Sequence, residues 1–200
     1  MKVIKVEPLG FASNSYILTA DNKTAVVIDP YEKRVLDVLK QNGLECKYVL
    51  LTHGHFDHVG MCGKLFEIGA AICCGEKEKE YIFSTENKEL LGGVHIPDFE
   101  IFRTFCDGEK FNLCGINFTA IHTPGHTAGS MCYLAEDCLF SGDTLFRCSV
   151  GRTDLPTGSY TELISSVKKL FALDGDIKVY AGHGEDTTLN FERNYNPFVR

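Results

Sequence analysis

The stretch "LLTHGHFDHVG", residues 50 to 60, is the part of the sequence that says most about the fold, because it groups several residues of the types that bind metal ions. They are His53, His55, Asp57 and His58. Three of the seven histidines in the 200-residue chain therefore lie in this one stretch. The apolar run "KYVLL", residues 47 to 51, overlaps its first two residues and is typical of a strand that is covered on both faces. Neutral imidazoles and a carboxylate suit Zn²⁺, Fe²⁺ or Mn²⁺, so the stretch predicts a metal site.

The spacing of these four residues predicts how they are presented. His53 and His55 are expected at the C-terminal end of the strand, where side chains alternate and both would point to the same side. Asp57 and His58 are expected after the turn, at the start of the next helix. Four such groups are more than one ion normally takes from one loop, so the pattern favours two adjacent ions.

Three later residues, each next to a glycine at a predicted strand end, supply the remaining ligands. "HTPGHTAGS" contains His126, "FSGDTLF" contains Asp143 and "YAGHGEDT" contains His183. Glycine beside a ligand lets the backbone approach the ion closely. The predicted division is one ion on His53, His55 and His126, the other on Asp57, His58 and His183, and Asp143 bridging both. His122 and His95 are expected to be non-ligands, with His122 packing nearby and His95 in a loop.

The remaining segments predict an α/β protein with two sheets packed face to face and helices outside. Short strands such as "SYILTA" and "TAVVID" fill the first third, and a second series follows from residue 99. "EKRVLDVLKQNG" predicts a helix that ends at Gly43. "YTELISSVKKLFAL" predicts an amphipathic helix capped by Ser159 or Thr161. Residues 84 to 98 are polar and predict an irregular loop.

Composition narrows the class of partner. The formal net charge is −7, and Lys or Arg never occur more than two in a row, which argues against nucleic acid or a membrane surface. No stretch approaches the ~20 apolar residues of a membrane span, and the N-terminus has no secretory leader pattern. Nine cysteines, an odd number without a CxxC motif, indicate buried thiols in a reducing, cytoplasmic setting. A small-molecule substrate is therefore expected, while the oligomeric state is left open.

The sequence resembles the metallo-β-lactamase superfamily. "THGHFDH" matches its T-H-x-H-x-D-H signature, and "HTPGHTAGS", "GDTLF" and "GHG" match its later ligand motifs in order. Within the superfamily the chain is most similar to the glyoxalase II-like hydrolases, also called hydroxyacylglutathione hydrolases. The resemblance runs from about residue 10 to the final "NPFVR" and implies a four-layer αββα sandwich of two mixed sheets. It also implies that Asp29, in "VVIDP", steadies the ligand loop by hydrogen bonds.

The function implied by this resemblance is hydrolysis of a thioester such as S-lactoylglutathione. Two divalent ions, zinc foremost and iron or manganese as alternatives, would share a hydroxide that attacks the thioester carbonyl. Asp57 and Asp143 would be the catalytic carboxylates. The chain is expected to form a single domain over residues 1–200, without the C-terminal helical domain of classical glyoxalase II enzymes. Arg152 stands near the position of a family lysine and is the candidate for binding a substrate carboxylate.

Several alternatives stay open. "GRTD" also resembles the persulfide dioxygenases, which use one iron on residues matching His53, His126 and Asp143. A lactonase would suit the same hydroxide, whereas a flavodiiron protein would have glutamate in place of His55. A β-lactamase is disfavoured because there is no leader and because Asp143 replaces the cysteine of one major class. Cys148 is expected to pack rather than to line the pocket.

Overall fold

The computed structural model describes residues 1–10, 12–90 and 97–199, and it contains two mixed β-sheets of six strands each. The strands of the first sheet are β1 (Lys2–Val6), β2 (Ser15–Thr19), β3 (Thr24–Ile28), β4 (Glu45–Leu50), β5 (Ala71–Gly75) and β6 (Ile101–Phe105). They lie side by side in chain order. The strands β1 to β3 are antiparallel to one another, and β3 to β6 run parallel.

The second sheet is formed by later strands, and a short hairpin follows one of them. The strands of the sheet are β7 (Lys110–Leu113), β8 (Ile116–His122), β9 (Met131–Ala135), β10 (Cys138–Gly142), β13 (Lys178–Ala181) and β14 (Thr187–Thr188). Their order in space is β14, β13, β10, β9, β8 and β7, and β10 pairs in parallel with β13. The hairpin consists of β11 (Leu145–Phe146) and β12 (Ser149–Val150).

Seven helices lie among the described residues. They are α1 (Arg34–Gln41), α2 (Phe56–Val59), α3 (Cys62–Glu67), α4 (Glu78–Ile82), α5 (Thr85–Glu89), α6 (Tyr160–Phe171) and α7 (Leu189–Tyr195). The helices α1 to α5 connect the parallel strands of the first sheet, because parallel neighbours need a crossover rather than a tight turn. The helix α6 provides the crossover between β10 and β13.

Three separate apolar clusters show that the molecule has four layers. Alternate residues of each strand enter different clusters, as the two-residue period of a strand requires. In β2, Ile17 packs under the helices of the first sheet, whereas Leu18 packs between the two sheets. In β9, Tyr133 faces the first sheet and Cys132 faces α6 and α7. The predicted αββα sandwich is thus confirmed.

The adjacent cysteines Cys73 and Cys74 follow the same alternation. Cys73 packs between the sheets and Cys74 under the outer helices, so both act as small apolar residues. All nine cysteines are free thiols, and six are buried. Cys106 and Cys148 are exposed, so the packing role that was expected for Cys148 is wrong.

Two local predictions are also wrong. The strand β4 ends at Leu50, so His53 and His55 lie in the following loop rather than on the strand, and strand alternation does not explain their common direction. The predicted irregular loop contains the helix α5, which begins because the Ser84 side chain accepts a hydrogen bond from the Asn87 amide. His95 lies outside the described residues.

Other expectations agree with the structure. The Ser159 hydroxyl caps α6 by accepting a hydrogen bond from the Glu162 amide, which settles the choice between Ser159 and Thr161.

The strand β7 was not predicted, because its four residues are too few to establish an alternating pattern. No helix in the described part of the chain has both the length and the apolarity needed to cross a membrane.

Candidate metal centre

The loop from residue 51 to residue 55 presents the first candidate ligands, and its shape depends on Gly54. The loop joins β4 to α2, with His55 as the residue before the first helical turn. A Cβ at Gly54 would lie 2.5 Å from Cγ1 of Ile82, closer than real carbon atoms approach. Glycine is therefore required between the two histidines, because the loop passes directly over α4.

Three histidines form the first candidate set, called here the three-histidine set: His53, His55 and His126. Their side chains are buried, and Nε2 of His126 lies 3.1 Å from Nε2 of His53 and 2.9 Å from Nδ1 of His55. One nitrogen of each ring thus points to a common centre. This arrangement brings together two residues of the first-sheet loop and one residue of the loop between β8 and β9.

The second ring nitrogen of each histidine in this set contacts a fixed oxygen. The three oxygens are Oγ1 of Thr52 at 3.1 Å from His53, the hydroxyl of Tyr81 at 3.2 Å from His55, and the carbonyl of Arg152 at 2.8 Å from His126. Such contacts set the ring orientation and the tautomer, so that the inner nitrogen keeps a free lone pair for a cation. Tyr81 was not anticipated from the sequence, since nothing local connects it to His55.

The second candidate set, called here the mixed set, contains Asp57, His58 and His183. Nε2 of His183 lies 3.3 Å from Oδ2 of Asp57, and Nε2 of His58 lies 4.0 Å from the same oxygen. Asp57 and His58 belong to α2, as predicted, and His183 follows β13. The mixed set therefore joins the two sheets just as the three-histidine set does.

Asp143 lies between the two sets. Its Oδ1 is 3.4 Å from Nε2 of His58, and its Oδ2 is 3.4 Å from Nε2 of His183 and 3.5 Å from Nε2 of His126. One carboxylate thus faces ligands of both sets, which is the position expected of a bridge. The residue directly follows β10, so its backbone is held by the second sheet.

Unsatisfied polar atoms indicate that these residues fit divalent ions. Nε2 of His58 and Oδ1 of Asp143 are buried and have no hydrogen-bond partner among the described residues. Burying such atoms without a partner costs free energy, and a metal ion would remove that cost by accepting both as ligands. In the three-histidine set and in the mixed set, the candidate ligand atoms all lie within 4.8 Å of one another.

Burial and charge divide the histidines into two electrostatic classes. Burial, with the neighbouring imidazoles, lowers the pKa of His55 to about 3 and also lowers the pKa of His53 and of His126. Burial opposes the charged form of His183 as well, but hydrogen bonds to Asp143 and Asp57 raise its pKa to about 9. The carboxylates around His58 likewise outweigh burial and raise its pKa. Burial thus disfavours the charged form of the three-histidine set, whereas the nearby carboxylates favour the charged form of His58 and His183.

Asp29 makes contacts that position the ligand loop. Its Oδ1 accepts a hydrogen bond from the Thr52 amide at 2.8 Å, and its Oδ2 accepts from the Thr52 hydroxyl at 2.6 Å and faces Nδ1 of His58 at 2.9 Å. The Ser15 hydroxyl donates to the Asp29 carbonyl, which holds the residue at a φ of +49°. The buried carboxylate thus orients His58 and the residue before His53.

Both sets open into one cavity of about 500 Å³. Its floor is formed by candidate ligands of both sets and by Asp143, and its walls are mainly apolar. The wall residues are Phe56, Leu90, Phe146, Ser149, Val150, Arg152 and Leu155. Arg152 forms a bidentate ion pair with Asp154, at 2.7 Å for both bonds, and both side chains are more than half exposed. Cys148 does not line this cavity.

Two further sequence expectations have simple outcomes. His122 is not part of either set, because its Nε2 contacts the carbonyl of Ala128 at 2.9 Å. The segment "GEKEKEYIFS" predicts a helix with a charged outer face, but the Glu78 side chain is fully buried beside the loops of the three-histidine set. No sequence signal distinguishes Glu78 from its neighbours in "GEKEKE", because its burial depends on the position of the second sheet.

Comparison with known proteins identifies the family. The chain belongs to the metallo-beta-lactamase superfamily, whose model matches residues 8–183; members typically bind two metal ions. It is 37% identical to hydroxyacylglutathione hydrolase GloC of Haemophilus influenzae, over 98% of this chain and 97% of that protein. These findings confirm the predicted resemblance and the predicted fold class.

Two solved structures are also similar over nearly their whole length. One is BLEG-1, described as a B3 metallo-beta-lactamase, with a TM-score of 0.92, 31% identity and 99% of each chain covered. The other is TTHA1623 in a di-iron-bound form, with a TM-score of 0.83, 32% identity, and 98% of this chain and 99% of that chain covered. Similar folds therefore carry different names, so the substrate must be argued from this chain's own site.

Proposed function

We propose that this protein is a metal-dependent hydrolase that uses two divalent ions to cleave a thioester such as S-lactoylglutathione. The observation that carries the proposal is the opening of both ligand sets into one cavity. A site with open positions beside two ligand sets suits hydrolysis better than a purely structural metal site, which is closed by its ligands. The relative named hydroxyacylglutathione hydrolase supports a thioester as the substrate.

The ligand roles follow from the two sets. The three-histidine set would hold one ion, the mixed set the other, and Asp143 would bind both. When bound, two such ions lower the pKa of water and polarise a carbonyl oxygen. Imidazole and carboxylate ligands accept zinc, iron and manganese. We propose zinc first, although the di-iron form of TTHA1623 makes iron a direct alternative.

The protein's own side chains would then orient the reactants. Asp57 lines the cavity and belongs to the mixed set, so its carboxylate could accept a hydrogen bond from the attacking water beside the ion. Phe146 and Leu155 would contact the apolar part of the substrate. Arg152 could bind a substrate carboxylate by exchanging its exposed partner Asp154, since exposed ion pairs contribute only ~0–1 kcal/mol.

The test combines metal analysis with a panel of small thioesters, lactones and β-lactams. The wild-type protein is expected to bind two ions per chain and to hydrolyse thioesters fastest. His53→Ala is expected to lose hydrolysis while the fold survives, because the loop lies outside the strand core. His122→Ala, which changes a histidine outside both sets, serves as the matched control and should retain activity. Full thioesterase activity in His53→Ala would disprove the two-ion mechanism.

Two second candidates each have one supporting observation. The likeness to BLEG-1 favours β-lactam hydrolysis, against the sequence argument given above. The close approach of His53, His126 and Asp143 favours a mononuclear-iron persulfide dioxygenase. Faster turnover of a β-lactam would establish the first. One iron per chain with oxygen uptake on glutathione persulfide would establish the second.

A further inference from the structure

A single buried carboxylate connects the two loops that carry the three-histidine set. The Glu78 side chain is 0% exposed. Its Oε1 accepts a hydrogen bond from the Gly54 amide at 2.7 Å, and its Oε2 accepts from the Thr127 hydroxyl at 2.8 Å. Gly54 lies between His53 and His55, and Thr127 follows His126. One side chain of α4 thus contacts both loops next to the ligands.

Two glycines, Gly54 and Gly129, bring the backbone of the two loops close to the Glu78 side chain. A Cβ at Gly129 would lie 2.4 Å from Oε2 of Glu78, and a Cβ at Gly54 would lie 3.3 Å from its Oε1. Glycine is therefore required at position 129, and the approach of the Gly54 loop to the carboxylate is tight. Such a close fit from two sides restricts the distance between the loops, because either loop would clash if the carboxylate moved toward it.

The cost of burying this group indicates a specific role. A carboxylate loses several kcal/mol of hydration when it is buried, and only good hydrogen bonds recover it. Burial also raises the pKa of Glu78 to about 7 despite the bonds from Thr127, Gly54 and Gly129. An apolar residue would fill the space without this cost, but it could not accept hydrogen bonds from two loops at once.

Neighbouring residues of α4 and α5 contact the same loop from other directions. The Asn87 side chain donates to the Gly54 carbonyl at 2.8 Å, and the Tyr81 hydroxyl contacts Nε2 of His55 at 3.2 Å. Glu78 and Tyr81 are three residues apart and therefore lie on one face of the helix. Both polar backbone groups of Gly54 are thus bound by this helical segment, which supplies no ligand itself.

We propose that Glu78 is a positioning residue, which sets the distance between the first-sheet loop and the second-sheet loop so that the three-histidine set can bind its ion. The proposal rests on the ligand roles proposed above and does not depend on which substrate is cleaved. A positioning role and a purely structural role for Glu78 predict different changes in metal affinity. A residue that only stabilises the fold would change both metal positions alike, whereas Glu78 should act selectively on the three-histidine set.

The test measures Zn²⁺ affinity by competition with a chromogenic chelator in two backgrounds. His183→Ala removes a ligand of the mixed set, and His55→Ala removes one of the three-histidine set. Glu78→Gln keeps the size of the side chain but replaces one carboxylate oxygen by an amide donor, which must face the Gly54 amide or the Gly129 amide, and both of these are donors that the carboxylate accepts. In the His183→Ala background it should weaken Zn²⁺ binding roughly 10- to 100-fold, the usual effect of losing a group that orients ligands. In the His55→Ala background, affinity should change less than about 2-fold.

Two controls keep the result interpretable. Glu80→Gln changes an exposed carboxylate of the same helix and should leave both affinities unchanged. Thr127→Val removes the hydroxyl that donates to Oε2 and also contacts the Ser130 hydroxyl at 2.7 Å, so it should weaken the three-histidine set in the same direction. Thr127→Ser keeps a hydroxyl and should keep the wild-type affinity. This pair tests the contact even if Glu78→Gln fails to fold.

The outcomes distinguish this proposal from the proposed function. Equal losses in both backgrounds, or no loss with Glu78→Gln and with Thr127→Val, would overturn the role of Glu78 alone. If His183→Ala and His55→Ala each still bound two ions, the proposed ligand roles would be wrong, and the role of Glu78 would be wrong with them.

Discussion

Replacing Asp29 by asparagine is expected to weaken metal binding by the mixed set while the fold stays intact. The two side chains have nearly the same shape, so the buried site is neither enlarged nor overfilled. The remaining side-chain oxygen in Asp29→Asn can still accept from the Thr52 amide, but the new NH₂ group then faces Nδ1 of His58, where the wild-type carboxylate lies 2.9 Å away. Nδ1 of His58 must become an acceptor, which places the ring proton on Nε2.

This tautomer prevents His58 from acting as a ligand, because Nε2 is the atom that faces Asp57 and Asp143. Loss of such an orienting carboxylate typically weakens metal binding roughly 10- to 100-fold, or about 1.4–2.7 kcal/mol. The three-histidine set should lose much less, since Asp29 reaches it only through the hydroxyl of Thr52.

The assay is again chelator competition with Zn²⁺, in the His55→Ala background for the mixed set and in the His183→Ala background for the other. Thermal unfolding of the metal-free protein reports on the fold separately. Asp37→Asn, an exposed change on α1, is the matched control. Wild-type affinity of the mixed set in Asp29→Asn, or an equal loss in both sets, would refute the tautomer argument.

Three further predictions concern other parts of the site. The pKa values of His58 and His183 are raised, to about 9 for His183, so protons compete with the ion for these two histidines. The metal affinity of the mixed set should therefore rise as the pH is raised toward the pKa of His183. A flat pH profile in chelator competition would contradict this. The buried Glu192 carboxylate accepts hydrogen bonds from the Cys148 amide, the Thr187 hydroxyl and the Asn196 side chain. Because Glu192→Gln places an amide donor against one of these donors, the β11–β12 hairpin loses its anchor, and the thioester KM should rise roughly tenfold without a change in metal content. Gly125→Ala should lower the melting temperature of the metal-free protein by roughly 6–12 °C, because the new Cβ would lie 2.2 Å from the Leu163 amide at a φ of +135°; an unchanged melting curve would disprove the clash.

Local sequence signals were sufficient for the fold class and for the candidate ligands. Apolar runs predicted most strands, because a strand buried on both faces must be apolar at every position. The ligand candidates stood out because histidine or aspartate followed such a run beside a glycine. His53, His126 and Asp143 were therefore predicted without knowledge of their distances.

The errors arose where the backbone leaves the regular pattern. His53 and His55 point to one centre because the loop turns over Gly54 and not because a strand alternates. The helix α5 escaped prediction because it is short and polar, and its start depends on one Ser84 hydrogen bond. Periodicity carries no information about such loops and single-turn helices.

The sequence by itself determined the family, the layered fold and the residue types available for metal binding, since each follows from patterns among near neighbours. Only the tertiary structure decided the distances between the candidate ligands, the turn of the loop over Gly54, and the burial of Glu78 beneath both loops. Glu78 contacts Thr127 across 49 positions of the chain. Contacts of this kind depend on how the two sheets pack, and a local pattern of residues does not encode that distance.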